Sequence, residues 1–302
     1  MLVAHSKNRR PNATDAAIAE VLRGVSADKL RAYVDVLAFP RHYIVERKAN
    51  RHARDLLLRL LRGFGYAPVL QGSYDNIVAV SCSSDNGPFL LLGAHYDSVP
   101  GCPGADDNAS AVAVCLECAR LLKENEVGKT MVVLFNREED GMLGSQEFVA
   151  HLAGQPAGMV EEAHIFEMVG YCNRAPGSQR MPPGLPGVAA PDVGDFLGLL
   201  ANRYSNTIAE KVLALAATYL PQFPVLALKI YLGMERYFRD LLRSDHAPFW
   251  AAGIPAIMWT DTSEFRNPHY HRVSDTPQTL DYDFLANVAK LALARAVSRT
   301  EK

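Results

Sequence analysis

The 302-residue sequence has no apolar stretch that could cross a bilayer as a helix. Its longest runs, such as Phe89 to Leu92 and Met131 to Phe135, fall far short of the roughly 20 residues such a helix needs. An excess of one charge sign is also missing. Lys plus Arg is 31 and Asp plus Glu is 33, a formal net charge of -2, so neither nucleic acid nor an anionic membrane is expected as a partner. The N-terminus, MLVAHSKNRRPNATD, lacks a signal-peptide apolar core, which leads us to expect a soluble, cytoplasmic protein. Cysteine is scarce: there are five, an odd number, and none has paired zinc-finger spacing. Cys115 and Cys118 form a C-x-x-C, but the surrounding AVAVCLECARLL reads as one helix, and both suit small core positions. The sequons at Asn12 and Asn108 carry little weight without a secretory signal. Internal repeats and low-complexity blocks are absent.

At 49% hydrophobic and 21% charged residues, the composition is that of a globular protein. Thr14 to Leu22, Ala27 to Leu37 (with Ser26 as a cap) and Lys48 to Arg62 read as amphipathic helices, the last stopped at Gly63. Strand-length apolar runs then alternate with helical stretches. The strands are Asn76 to Ser81, Phe89 to Ala94, Thr130 to Asn136, Ala163 to Phe166, Val225 to Tyr231 and Pro255 to Thr260. The helices are Ala109 to Leu122, Ser145 to Leu152 and Thr279 to Val297. Short apolar runs alternating with helices predict an α/β sheet covered on both faces. Arg174 to Gly194, with five prolines and several glycines, reads as a long loop, either a functional rim or a tolerated insertion. No linker divides the chain, so residues 1–302 are expected to form one domain, with 1–62 a helical N-terminal segment packed on it.

Polar residues follow the strands. Phe89 to Ala94 runs into His95-Tyr96-Asp97, Thr130 to Asn136 runs through Arg137 into Glu138-Glu139, and Ala163 to Phe166 is followed by Glu167. Ligands of open α/β sheets bind outside the carboxyl ends of the strands, so these side chains gather on one edge. Asp106-Asp107-Asn108 sits in a Gly-rich turn before a helix, where capping is its ordinary role; in this company it reads as part of the site. Buried carboxylates need a cation or a proton, and histidine with carboxylate is a donor set that suits zinc, or less selectively cobalt or manganese. Of the remaining histidines, His271 stands out in the polar loop NPHYHRVSDTPQTL.

The segments GAHYDSVPGCPGADDNASAVA, FNREEDGMLGS, FEMVGY, SDHAPFWAAGIPAIMWTDT and NPHYHRVSDT resemble the M28 family of zinc peptidases, in family order and over most of the chain. The resemblance implies a three-layer α/β/α domain around a mixed, mostly parallel, eight-stranded sheet, with two zinc ions per chain acting on a peptide or small amide. It implies that His95 and Glu167 hold one metal, Glu139 and His271 the other, and that Asp107 bridges them. Asp97 would accept the other ring N–H of His95, and Glu138 would be the general base. It further implies a non-proline cis peptide after Asp107. Glu167 departs from the usual Asp, and Ala111 stands where glycine is common. Asp245 and His246 would hold an oxyanion or an amine in the substrate cleft, or cap the short helix into Trp250. Tyr237 would substitute for a family tyrosine whose nearest positions here are Leu241 and Leu242. Phe249, Trp250, Trp259 and Phe265 fit either a side-chain pocket or the core. An aminopeptidase is the leading reading. A mono-zinc glutaminyl cyclase, a carboxypeptidase or amide hydrolase, and a non-catalytic binding domain are the alternatives. A monomer is the default expectation.

Overall fold

The computed structural model of the chain describes residues 1–81, 88–155, 158–181 and 191–299. One mixed sheet holds nine strands: β1 (Leu2–His5), β2 (Val69–Gln71), β3 (Asn76–Val80), β4 (Phe89–His95), β5 (Thr130–Phe135), β6 (Val160–Glu167), β7 (Leu197–Ala201), β8 (Val225–Lys229) and β9 (Ala256–Thr260). Their spatial order is β1-β8-β7-β9-β6-β4-β5-β3-β2. The centre is parallel, β9 beside β6, β6 beside β4 and β4 beside β5, and antiparallel pairings with β7 and β3 flank it.

Eight α-helices complete the layers: α1 (Ala16–Arg23), α2 (Ala27–Leu37), α3 (Arg47–Gly63), α4 (Ala111–Glu124), α5 (Leu143–Leu152), α6 (Asn206–Tyr219), α7 (His246–Ala251) and α8 (Tyr282–Val297). The central strands are buried on both faces, and their alternation sends each residue to one of two cores. Leu90, Leu92, Val132 and Leu134 pack under α2, α4 and α8, whereas Phe89, Leu91, Val133 and Phe135 pack against Phe148 of α5 and Phe249 of α7. Cys115 and Cys118 are buried in α4 as free thiols, in the core role expected.

The sheet has nine strands where eight were expected. The N-terminal segment is α-helical only from Ala16: Leu2–His5 pairs with β8 more than two hundred residues away, and Ser6–Asn8 is a short 3-10 turn. So distant a partner leaves no local signal. The short run LGLLA of β7 and the following α6 were likewise not singled out from the sequence. The helix expected from Ala109 starts at Ala111, since the chain at Asp107 is non-helical (φ -105°, ψ 86°). α8 starts at Tyr282, where the Asp281 side chain accepts from Phe284 N–H. Of the Pro-rich loop, Pro182, Pro183 and Pro186 lie outside the described residues, and its base is closed by an antiparallel bridge between Asn173 and Gly194. Among the described residues no helix is long and apolar enough to cross a membrane.

Candidate active site

β4, β5 and β6 run parallel, so their carboxyl ends share one edge of the sheet. β4 ends in His95, β6 ends in Glu167, and the chain leaving β5 presents Glu138 and Glu139. Asp107 comes from the turn Ala105–Ser110 ahead of α4. Gly104 makes that turn possible: its φ is +60°, and a Cβ there would lie 2.2 Å from the Asp107 carbonyl oxygen. The Asp107–Asn108 peptide is cis. Asn108 ties the turn to the end of β6, its amide donating to Phe166 O and its Oδ1 accepting from Met168 N–H, both at 3.0 Å. Asn108 is fully buried, so its sequon is inaccessible. His271 arrives on the loop before α8, with φ +56° and its ring stacked on Tyr270 at 3.7 Å.

All five metal-type side chains converge. His95 Nε2 lies 3.4 Å from Asp107 Oδ1 and 3.3 Å from Glu167 Oε2. His271 Nε2 lies 3.1 Å from Asp107 Oδ2 and 3.6 Å from Glu139 Oε2. Asp107 therefore turns one oxygen to each histidine and belongs to two donor groups, His95–Asp107–Glu167 and Asp107–Glu139–His271. Donors about 2.1 Å from a tetrahedral zinc stand about 3.4 Å from each other, so these separations match those of ligands around one ion. Both ring nitrogens of His95, Asp107 Oδ1 and Glu139 Oε1 are buried without a hydrogen-bond partner. Buried polar atoms are rarely left so; a cation would satisfy His95 Nε2 and the two carboxylate oxygens, while Nδ1 faces Asp97. The residues fit zinc.

The charge balance agrees. Burial, relieved in part by His95, pushes the Glu138 carboxyl well above its ordinary range, and Glu167, Asp245 and Glu139 push it further. Burial and then Asp107 do the same to Glu139. Asp107 goes the other way: burial would raise it, but His271 and His95 hold it well below the usual carboxylate range. So many carboxyls cannot all ionise in a dry site without cationic charge.

Other expected residues take different positions. Asp97 Oδ1 is 3.4 Å from His95 Nδ1, and its two oxygens also accept the backbone N–H groups of Glu138 (3.2 Å) and Glu139 (3.3 Å). It thus anchors the strand end that carries the Glu pair, a contact the sequence did not suggest. Asp245 is fully buried and accepts from Ser145 Oγ at 2.5 Å, making no side-chain cap to α7. His246 is fully buried: its Nε2 contacts Leu241 O at 2.9 Å, its ring sits edge-on to Trp250, its Nδ1 has no hydrogen-bond partner, and burial pushes its pKa down to about 4. Tyr237 is 82% exposed.

Sequence reasoning passed over four supporting residues. Ser244 Oγ donates to Glu167 Oε2 at 2.7 Å, and Asp275 accepts the N–H groups of Asp106 (2.9 Å) and Asp107 (3.1 Å). Tyr270 stacks on His271 and accepts from Arg243 Nη2 at 2.9 Å, while Arg243 also pairs with Glu264. Ser244, Tyr270 and Asp275 sit inside the recognised motifs and Arg243 immediately precedes one, but only the fold gives them partners.

Beside Glu167 a cavity of about 150 Å³ opens over β7, β8 and β9. Leu200, Leu226, Leu228 and Met258 line it along with Phe265, and Tyr270, Arg243 and Glu264 border it. Phe249, Trp250 and Trp259 are core residues.

The chain is 37% identical over 235 residues to the uncharacterized protein YfbL of Escherichia coli, an alignment covering 73% of this chain and 70% of that one. It is 30% identical over 226 residues to aminopeptidase YwaD of Bacillus subtilis, covering 70% of this chain but only 41% of the relative. The LapA aminopeptidase of Legionella pneumophila shares the fold at a TM-score of 0.76 and 19% identity, over 98% of this chain and 78% of that one. The glutaminyl cyclase of Porphyromonas gingivalis shares it at 0.67 and 22%, over 91% and 99%. The family model for peptidase family M28 matches residues 76–296, the span that carries every side chain of the cluster, and the chain belongs to that family of metallopeptidases.

Proposed function

We propose that the chain is an aminopeptidase with two zinc ions, His95 and Glu167 holding one, Glu139 and His271 the other, and Asp107 bridging both. The observation that carries this reading is the position of Asp107, one carboxylate oxygen toward each histidine at 3.4 and 3.1 Å. Zinc held there supplies Lewis acidity to the scissile carbonyl and lowers the pKa of the attacking water. Glu138, whose carboxylate groups with His95 and Glu139, takes the proton from that water as it attacks and returns it to the leaving amine. The Tyr270 hydroxyl accepts from Arg243, which leaves its own proton to donate to the developing oxyanion.

Charge around the cavity favours an amino-terminal over a carboxy-terminal substrate. The bordering Arg243 is paired with the Glu264 carboxylate, so a substrate carboxylate would have to displace an existing partner there, while Arg180 donates to the Glu264 backbone carbonyl. A substrate ammonium would meet Glu167, which lines the cavity. A cavity of about 150 Å³ with apolar walls holds a group the size of benzene, which suits an N-terminal Leu, Met or Phe. The cyclase alternative uses one metal, and the presence of two donor groups, His95–Asp107–Glu167 beside Asp107–Glu139–His271, weighs against it.

The test combines zinc analysis with turnover of aminoacyl-p-nitroanilides. Two zinc ions per chain and hydrolysis of the leucyl substrate are expected. One zinc after full loading, together with cyclisation of N-terminal glutamine, would overturn the reading.

A further inference from the structure

Glu138 and Glu139 follow a residue whose backbone is unusual. Arg137 has φ +60°, a region that an L side chain adopts at a cost and that glycine fills freely. Its guanidinium carbon lies 5.0 Å from the ring centres of both Tyr43 and Tyr74, which meet edge to face at 6.2 Å. Its Nε donates to Asp140 Oδ2 at 2.8 Å, so the side chain closes over the turn that holds the Glu pair. From the other side, His42 Nε2 stands 3.4 Å from Asp140 Oδ1. His42 Nδ1 accepts the backbone N–H groups of Ile44 and Val45, so the ring proton sits on Nε2, toward Asp140.

The same neighbourhood reaches the residue before. Asn136 donates to Tyr74 O at 2.9 Å and exchanges hydrogen bonds with Asn50 of α3. His42, Tyr43, Asn50 and Tyr74 all precede the span matched by the family model. The turn is thus gripped twice: Asp97 binds its backbone beneath, and a box built by the N-terminal segment binds its side chains above.

We propose that Arg137, seated between Tyr43 and Tyr74, is a positioning residue that sets the orientation of the Glu138 carboxylate. This rests on the reading of Glu138 as general base. The guanidinium is the suitable group, because its flat face stacks on an aromatic ring while its edge donates to Asp140, and an ammonium cannot do both. Because Glu138 is the next residue along the chain, rotation at Arg137 swings its side chain. General-base efficiency depends steeply on such placement.

The experiment uses the zinc-loaded chain and four variants, with kcat, KM, zinc per chain and Tm measured for each. Arg137→Gly keeps the φ that glycine prefers and removes the grip. It is expected to lower kcat by about 10²-fold, with KM changed by no more than about twofold and zinc content unchanged. Arg137→Lys is expected to fall between it and wild type. Tyr43→Leu should reproduce part of the loss, whereas Tyr43→Phe, which keeps the ring face, should match wild type. Wild-type kcat in Arg137→Gly, with or without a lower Tm, overturns the proposal. So does a fall in kcat that follows lost zinc, since that would place the effect on Glu139. Retained turnover in Glu138→Gln would instead remove the underlying reading, whatever the Arg137 variants do.

Discussion

Asp107 and Glu138 lie in the same cluster, and their substitutions separate two roles. Replacing Glu138 with Gln keeps shape and hydrogen-bonding capacity but loses the base. Zinc content should hold at the wild-type value while kcat drops by about 10²–10⁴-fold, as measured on leucyl-p-nitroanilide. Replacing Asp107 with Ala removes the carboxylate shared by both donor groups, so zinc per chain should fall at both positions, read by elemental analysis after dialysis. Full occupancy in that variant would rule out the bridge. Some of this was legible from residue order alone: His95, Glu139, Glu167 and Asp107 stand at strand ends or in the turn before a helix, where an α/β sheet collects its ligands. His246 was legible only as a candidate. Its sequence neighbours are those of a cleft residue, and the structure adds the Leu241 carbonyl at Nε2 and the Trp250 ring beside it.

The turn from Gly104 to Ser110 is the element on which the cluster depends most. Its residues hydrogen-bond to Asp275, Gly170, Phe166 and Met168, joining the α8 approach to the end of β6. A side chain at Gly104 meets two obstacles, a positive φ and the Asp107 carbonyl 2.2 Å away. Gly104→Ala is therefore expected to cost about 2 kcal/mol or more and to displace Asp107, lowering both Tm and zinc content. Gly→Ala at exposed Gly154, whose φ is not positive and whose added Cβ would lie 3.6 Å from His151 O, serves as the control and should leave zinc content unchanged. Over the sheet, the apolar cavity makes a second prediction. Leu200 is half-buried in its wall, and Leu200→Phe adds volume with little demand on the core. That variant should lower kcat/KM for the phenylalanyl substrate by about tenfold or more, while the alanyl substrate changes little. Equal effects on both would dissociate the cavity from the substrate side chain.

At the scale of the whole molecule, the metal-free chain carries a concentration of buried acids. Burial, offset in part by His95 and Ser145, raises Asp245 to about 7, and burial with Asp106 raises Asp275 to about 7. An acid whose pKa is higher in the folded than in the unfolded chain binds more protons when folded. Its contribution to stability therefore declines as pH rises from the unfolded pKa near 4 to the folded value near 7. Glu138 and Glu139, also raised, act in the same direction, whereas His246 opposes them below about pH 6.5. Chelated protein should accordingly show a higher Tm at pH 6.5 than at pH 8, and zinc should raise Tm most at pH 8, where the carboxylates most need a cation. A chelated Tm that climbs steadily to pH 8 would contradict this balance. The sequence by itself determined the alternation of elements, the metal-type residues and their family, because strand-end chemistry and period-two burial are written in local order. The antiparallel docking of β1 on β8, the cavity over β7 to β9 and the Tyr43–Arg137–Tyr74 box were decided by tertiary structure alone. Each depends on side chains or strands brought together from distant parts of the chain, and no local pattern encodes which distant partner a residue will meet.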